Sequence, residues 1–383
     1  MTQRAATGER HPKIAYLVHD INDPAVARRV SMLRAGGAEL VVAGFRRDER
    51  SPAAVAGAQV IDLGRTDDGA LIGRAIKVVA TLLRPGALLA AAAGADVVIG
   101  RNLECLALAR RVRRALPEVR LVYECLDIHR TLLGGSLPAR AIQRVEAALL
   151  RTVDLLLVSS PAFHREYFVK RPTLAAPALL VENKLLALDG MPVAADAPAA
   201  GPPWTIGWFG NLRCRRSFAL LSELARRAEG RVRILIAGRA SPAVFDDFAA
   251  SVAAAPHCTY VGPYTPGQLR ELYGQCHFAW GIDYFEEGLN SQWLLPNKLY
   301  EAAAFGTVPI ALRSVETGRW LEGHGAGLLL NDGDPVAQLE PQFSDVDDAA
   351  YRQLRAAVDA IPRGDLIAGQ GDCDTLLHAI VDG

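Results

Sequence analysis

Pro296-Asn297-Lys298-Leu299-Tyr300-Glu301-Ala302-Ala303-Ala304-Phe305-Gly306, followed by Thr307-Val308-Pro309-Ile310-Ala311-Leu312, is the stretch on which the reading of the fold turns. It predicts a short capped helix that delivers the chain into a buried strand. Pro296 has no backbone N–H to leave unpaired and suits a helix start, and Gly306 can take the left-handed position that ends one. The helix has about two and a half turns. Lys298 and Glu301 stand at i and i+3, so both project from one face near the positive end of the helix dipole. Lysine pairs with phosphate as a point charge, and a carboxylate accepts hydrogen bonds from two neighbouring sugar hydroxyls. An ordinary capped helix with one ion pair has the same spacing.

Working outward, apolar runs alternate with helical segments. Upstream, the runs Lys13 to Val18, Glu39 to Phe45, Ala95 to Gly100, Leu121 to Cys125 and Asp154 to Ser160 read as strands. Downstream, Trp204 to Gly210, Val232 to Gly238, Thr259 to Gly262 and Phe278 to Ile282 do the same. Short apolar strands with helices between them imply a doubly wound parallel sheet. Residues 187–203, rich in Ala, Pro and Gly, divide the two series. The expected organisation is a first Rossmann-like domain over 1–186, a linker over 187–203 and a second Rossmann-like domain over 204–383, the last helices packing back on the first. A chain of 383 residues exceeds one comfortable core, which agrees with two domains.

Basic and acidic residues balance at 42 each, which argues against a general nucleic-acid binder. Six scattered cysteines form no C-x-x-C pair and read as reduced, cytosolic thiols. The polar first dozen residues lack the apolar core of a signal peptide. The most apolar window, Leu71 to Ala93, is interrupted by Arg74, Lys77, Arg84 and Pro85-Gly86, so it does not read as a membrane span. Ile72, Ile76, Val79, Leu82 and Leu83 nevertheless repeat at helical spacing beside those basic residues. That pattern suits a helix lying on a membrane surface, and equally a core-packed helix with a basic edge.

Several residues could carry chemistry. Gly207-x-x-Gly210 follows a strand and precedes a helix, with Asn211, Arg213, Arg215 and Arg216 after it; glycine lets backbone approach a phosphate, and arginines with a helix N-terminus hold its charge. A tight turn with solvated arginines has the same sequence. Tyr264 lies in the turn after the strand at Thr259, and Glu286-Glu287-Gly288 lies in the loop before Pro296. In the first domain, Asp127 stands just beyond a strand's carboxyl end, with His129 nearby and Asp20 after the first strand. Asp127 is placed either to take a proton or to cap the following helix. Arg101 with Arg110, Arg111, Arg113 and Arg114 forms a basic run suited to a phosphate headgroup, or a solvated helix face.

Pro-Asn-Lys-Leu-Tyr-Glu, small residues, Gly and a Val-Pro strand resemble the donor-binding helix of GT-B glycosyltransferases. The resemblance implies a GT-B architecture, two Rossmann-like doubly wound parallel-sheet domains facing across a cleft. It implies a nucleotide-sugar donor in the second domain. Glu301 then holds the ribose, with Asn297 and Lys298 beside it. Gly210, Asn211, Arg213 and Arg216 contact the diphosphate, Tyr264 borders the base, and Glu287 faces the sugar. Retaining transferases of the family-4 type carry a glutamate at the position of Trp293, a departure in this chain. The region around Asp127, together with His19-Asp20, Pro24 and Arg28-Arg29, resembles the inverting glucuronosyltransferases of bacterial exopolysaccharide assembly, the xanthan type. That likeness makes Asp127 the base, with Asp20 and His129 in reserve. It implies a UDP-sugar donor, a lipid-linked saccharide acceptor, peripheral contact with the cytoplasmic membrane, and no required metal or other cofactor. Asp332-Gly333-Asp334, Asp345-Val346-Asp347 and Asp372-Cys373-Asp374 match the Asp-x-Asp metal motif of the other glycosyltransferase fold but read better as caps and turns. A retaining transferase, a UDP-sugar epimerase and a non-catalytic nucleotide-sugar-binding scaffold are the other expectations compatible with these residues.

Overall fold

The computed structural model describes residues 11–47, 49–66, 71–190, 192, 195–196 and 198–382. The expected polar N-terminal arm and the Ile72 side chain lie outside the described residues. The chain divides into two compact units, Met1–Val181 with Gly369–Gly383, and Glu182–Ala368.

The first unit is built on strands β1 (Lys13–Val18), β2 (Glu39–Arg46), β3 (Ala54–Val55), β4 (Ala58–Arg65), β5 (Val97–Arg101), β6 (Arg120–Cys125), β7 (Leu155–Val158) and β8 (Ala178–Leu180). Their order across the sheet is β3-β4-β2-β1-β5-β6-β7-β8. Neighbours run parallel except β3 and β4, which form an antiparallel hairpin at the edge. The central strands are apolar runs because helices cover both faces: Ile14 to Val18 and Val97 to Arg101 are buried throughout. Helix Pro24–Ala35 starts where Asp23 Oδ1 accepts from Ala25 N (2.9 Å) and Pro24 fixes the first turn. Helix Gln370–Val381 packs on it, so closely that a Cβ on Gly36 would lie 2.8 Å from Cys373 O.

The second unit contains β9 (Leu185–Leu186), β10 (Trp204–Leu212), β11 (Val232–Ala240), β12 (Cys258–Tyr260), β13 (Phe278–Trp280), β14 (Val308–Leu312), β15 (Leu328–Leu330) and β16 (Ile367–Ala368). Six form a parallel sheet in the order β12-β11-β10-β13-β14-β15, and β9 pairs with β16. One core face gathers Trp204, Trp208, Phe248, Phe278, Trp280, Tyr300 and Phe343. The Ala/Pro-rich stretch expected as a linker is counted with this unit: Arg363 reaches Pro192 O (2.7 Å), Arg355 reaches Ala195 O (3.2 Å), and Ala195 is buried against Phe305 and Tyr273. Among the described residues, the division between units therefore falls before residue 187.

Both sheets reverse direction once, between β1 and β5 in the first unit and between β10 and β13 in the second. Such switch points leave a crevice at the carboxyl ends of the strands, where open α/β sheets bind ligands.

Candidate active site

At the second unit's switch point, β10 continues through Leu212, paired residue by residue with β11 from Trp204↔Val232 to Leu212↔Ala240. Gly207-x-x-Gly210 is therefore strand and not the expected turn, because the long ladder with β11 carries the extended backbone past it. Gly210 (φ +110°) faces Gly238 (φ +139°) in register. A Cβ on Gly238 would fall 1.9 Å from Gly210 O, so position 238 has no room for a side chain, whereas a Cβ on Gly210 would meet open space. Asn211 follows, exposed.

The turn comes at Arg213-Cys214. Helix Arg215–Arg227 opens there, with Cys214 Sγ accepting from Ser217 N (3.3 Å). Across the switch point, β13 runs out into Asp283-Tyr284-Phe285. Arg213 lies 3.9 Å from Asp283 and 4.5 Å over the Phe285 ring. Arg216 pairs with Glu287 and lies 4.1 Å over the Tyr284 ring. Arg215 turns away to Val244 O.

Helix Asn297–Ala304 supplies the rest. It buries Leu299, Tyr300, Ala302, Ala303 and Ala304, which leaves Asn297, Lys298 and Glu301 on its less buried side. Pro296 is its cap residue. Gly306 (φ +79°) ends it, donating to Ala303 O (3.0 Å) while Thr307 N donates to Ala302 O (2.9 Å), the paired bonds of a Schellman turn. Burial pushes the Lys298 ammonium down from its ordinary pKa; Asp283 opposes this and Arg213 adds to it. Lys298, Arg213 and Asp283 thus share one neighbourhood. Glu301 accepts from Tyr273 OH (3.2 Å). Tyr264 stands edge-on to Phe209 (6.4 Å), its hydroxyl pKa raised by burial and then by the Glu301 charge. Trp293 is half-buried and follows the single helical turn Asn290–Gln292.

In the first unit, Asp127 is exposed beyond β6. It does not cap the following helix. His129 does, its Nδ1 accepting from Thr131 N (3.2 Å), because Arg130–Leu133 begins two residues later than that reading requires. This bond leaves the ring proton on Nε2; burial lowers the His129 pKa, with Asp127 opposing. Asp20 is buried, 3.3 Å from Arg47, and accepts from Asn22 N (3.1 Å). It is held as an ion-pair and turn residue. The basic run splits. Arg101 is buried at the end of β5, whereas Arg110, Arg113 and Arg114 lie toward the far end of helix Asn102–Ala115, roughly 13–20 Å away.

A buried charge cluster lies under the first crevice. Glu124 accepts from Arg29 Nε (2.7 Å), from Arg101 (3.3 Å) and from Tyr16 OH, and Arg101 also bonds Tyr16 OH (2.7 Å) and Asp23 (3.4 Å). Burial alone would raise the Glu124 pKa, but Arg29 and Arg101 outweigh it and hold it at about 2.

The sequence reading missed Asp283, Tyr284 and Phe285, although their place directly after a strand of the second series was a usable signal. It also missed the Glu124 cluster. Among the Asp-x-Asp aspartates, Asp334 and Asp347 cap helices and Asp372 accepts from Gly369 N. Among the described residues, no group of three or more His, Cys, Asp and Glu side chains is arranged to hold a metal.

Two Rossmann-like units, with basic residues and an acidic helix residue at the switch point of the second, define the fold of the GT-B glycosyltransferases. The solved structures agree. Sucrose-phosphate synthase from Thermosynechococcus elongatus superposes with TM-score 0.65 at 16% identity, over 97% of this chain and 96% of that one. The HepE protein of Anabaena in complex with UDP superposes with TM-score 0.66 at 13% identity, over 96% and 98%. No family model matches the chain. The succinoglycan biosynthesis protein ExoL of Rhizobium meliloti (strain 1021) is 41% identical over 375 residues, 96% of this chain and 93% of that protein. The chain belongs to the ExoL family of exopolysaccharide biosynthesis proteins.

Proposed function

We propose that this protein is a glycosyltransferase of bacterial exopolysaccharide biosynthesis that moves a sugar, glucuronic acid being the expected one, from a UDP-sugar to a lipid-linked saccharide. The observation that carries the reading is the grouping of Arg213, Lys298 and Glu301 beside the second unit's switch point. The UDP complex of the HepE neighbour and the succinoglycan role of the ExoL relative support it.

In this mechanism Glu301 accepts the ribose hydroxyls, with Tyr264 beside the base and Asn211, Asn297 and Glu287 about the donor. Lys298, Arg213 and Arg216 stabilise the diphosphate as it leaves, which supplies the charge stabilisation without a required metal. Asp127, exposed beyond the end of β6, takes the proton of the acceptor hydroxyl while the hydroxyl oxygen attacks the anomeric carbon and the bond to UDP breaks, with inversion. His129, two residues on, and Asp20, after the first strand, are the reserves. His129, neutral through burial, is the stronger of the two reserves.

Peripheral membrane contact through helix Leu71–Leu83 belongs to the same proposal. Its Ile76, Val79 and Leu83 are 62%, 52% and 77% exposed, with Lys77 and Arg84 exposed among them. Among the described residues, no helix is long and apolar enough to cross a membrane. Co-sedimentation with anionic vesicles tests this part, and the absence of binding would remove it.

The deciding experiment is calorimetric titration with UDP, GDP, ADP and dTDP, on the protein and on Glu301→Ala. Selective UDP binding that is lost in the variant is expected. Binding of none of the four would sink the donor site and leave a scaffold role. NMR of the product's anomeric configuration then separates inversion from retention.

A further inference from the structure

At the first unit's switch point, β1 ends at Val18 and β5 at Arg101, each one residue beyond the register pair Leu17↔Gly100. His19 follows directly, and Asn22 lies in the turn before helix Pro24–Ala35. Three side-chain nitrogens here have no hydrogen-bond partner among the described residues and are closed to solvent: Arg101 Nε, His19 Nδ1 and Asn22 Nδ2. Arg101 is only 1% exposed. A buried polar nitrogen without a partner is costly, and three at the adjoining ends of β1 and β5 call for partner atoms that the described residues do not supply.

We propose that this crevice, bounded by His19, Asn22 and Arg101, binds an oxyanion, phosphate or carboxylate, carried by the acceptor. Assignment to the acceptor rests on the transferase reading above, whereas the anion site itself does not.

The charge around the imidazole fits. His19 faces Arg101, Arg47 and Arg74 against Asp23, and burial followed by Arg101 lowers its pKa to about 4, so at neutral pH it is an uncharged ring able to offer one N–H. Each guanidinium also has a carboxylate of its own: Arg101 with Glu124 and Asp23, Arg47 with Asp20 (3.3 Å), Arg74 with Glu104 (3.6 Å). The crevice is therefore rich in donors without being strongly electropositive. It should hold an oxyanion weakly when free, and usefully when the oxyanion is tethered to a substrate bound elsewhere. His19 and Asn22 are half-buried as residues, so each borders solvent although the unpartnered nitrogens do not.

The test is an NMR titration of the whole protein with inorganic phosphate, with glucuronate, and with glucose as neutral control, following the His19 ring protons assigned through His19→Gln. Saturable shifts with phosphate or glucuronate, none with glucose, and at least tenfold weaker binding in Asn22→Ala are expected. A preference for phosphate assigns the acceptor's phosphate; a preference for glucuronate assigns a saccharide carboxylate. No saturable shift, equal shifts with glucose, or unchanged binding in Asn22→Ala would overturn the site. UDP displacing phosphate from His19 would overturn the acceptor assignment. UDP titrated into the same sample reads the second unit, so loss of one signal and survival of the other identifies which reading has failed. Arg101→Lys, checked by circular dichroism for folding, is the second variant and should also weaken the oxyanion shift.

Discussion

Glu124→Gln tests whether the buried cluster of the first unit is held by charge or by shape. The side chain is fully buried, and its two guanidinium partners, Arg29 and Arg101, are 5% and 1% exposed. Glutamine keeps the volume and one oxygen but replaces the other with a donor that opposes Tyr16 OH or a guanidinium. Asp23, 28% exposed and 3.4 Å from Arg101, is then the carboxylate left to the pair. Breaking a buried pair by removing one partner costs about 3–5 kcal/mol. A second route gives a similar size: a carboxyl held at about 2 against 4.5 in the unfolded chain corresponds to roughly 3 kcal/mol of charge-dependent stability. The sign follows from the depressed pKa. That stability is present above pH 4.5 and is lost as pH falls toward 2, so the variant should lack the corresponding acid limb. The assay exploits the tryptophans, since Trp204, Trp208, Trp280, Trp293 and Trp320 all belong to the second unit. Urea unfolding followed by far-UV circular dichroism should show the first unit losing about 3 kcal/mol, while the tryptophan transition stays in place. A loss below about 1 kcal/mol, or an unchanged acid limb, would refute the electrostatic account.

Three further expectations follow from single positions. Gly238→Ala puts a methyl on Gly210 O in a backbone region that disfavours side chains; about 2–5 kcal/mol of destabilisation should appear in the tryptophan-monitored transition, and a wild-type midpoint would contradict the geometry. Asp127→Asn is a near-isosteric change at an exposed residue, so stability should move by less than about 0.5 kcal/mol while transfer falls by about 10²–10⁴ with UDP affinity retained; undiminished turnover removes it from the mechanism. Gly306→Ala strains the Schellman turn and meets the Arg355 guanidinium, which should cost about 1–3 kcal/mol in the same unfolding assay, and a neutral result would mean the turn can relax.

The central strands were legible because each is buried on both faces, which writes a continuous apolar run into a few residues. The edge was not. Ala58–Arg65 is largely half-exposed and interrupted by Asp62 and Gly64, so β4 shows neither a run nor a clean alternation. Helix Asn297–Ala304 could be placed with both its ends because Pro296 and Gly306 act locally. The Glu124 cluster could not, since its partners Tyr16, Arg29 and Arg101 stand 108, 95 and 23 residues away and meet only through the strand order. His129 took the cap that was the alternative reading of Asp127, because the helix begins at Arg130, a shift within the ordinary error of reading helix boundaries. Arg101 was grouped with Arg110 to Arg114 by sequence distance, and the helix between them carries the two parts to opposite ends of the strands.

The same residue types serve opposite purposes in the two units, and burial decides which. Arg29 and the terminal nitrogens of Arg101 are sealed on Glu124, Tyr16 and Asp23, where releasing a partner is expensive, so those pairs serve the scaffold and only Arg101 Nε remains for the proposed oxyanion. Arg213 and Arg216 rest on Asp283 and Glu287 with side chains 37% and 47% exposed. Pairs this open contribute about 0–1 kcal/mol, so a diphosphate can draw the cations away at little cost. The basic groups of the second crevice are thus loosely held on carboxylates, which is what the proposed diphosphate site requires. Lys298 fits this arrangement from the other direction: partial burial makes its charge costly, and an anionic ligand would restore the charge that burial disfavours. Donor binding should accordingly strengthen Lys298 protonation, because the ligand and the proton favour the same state of the site.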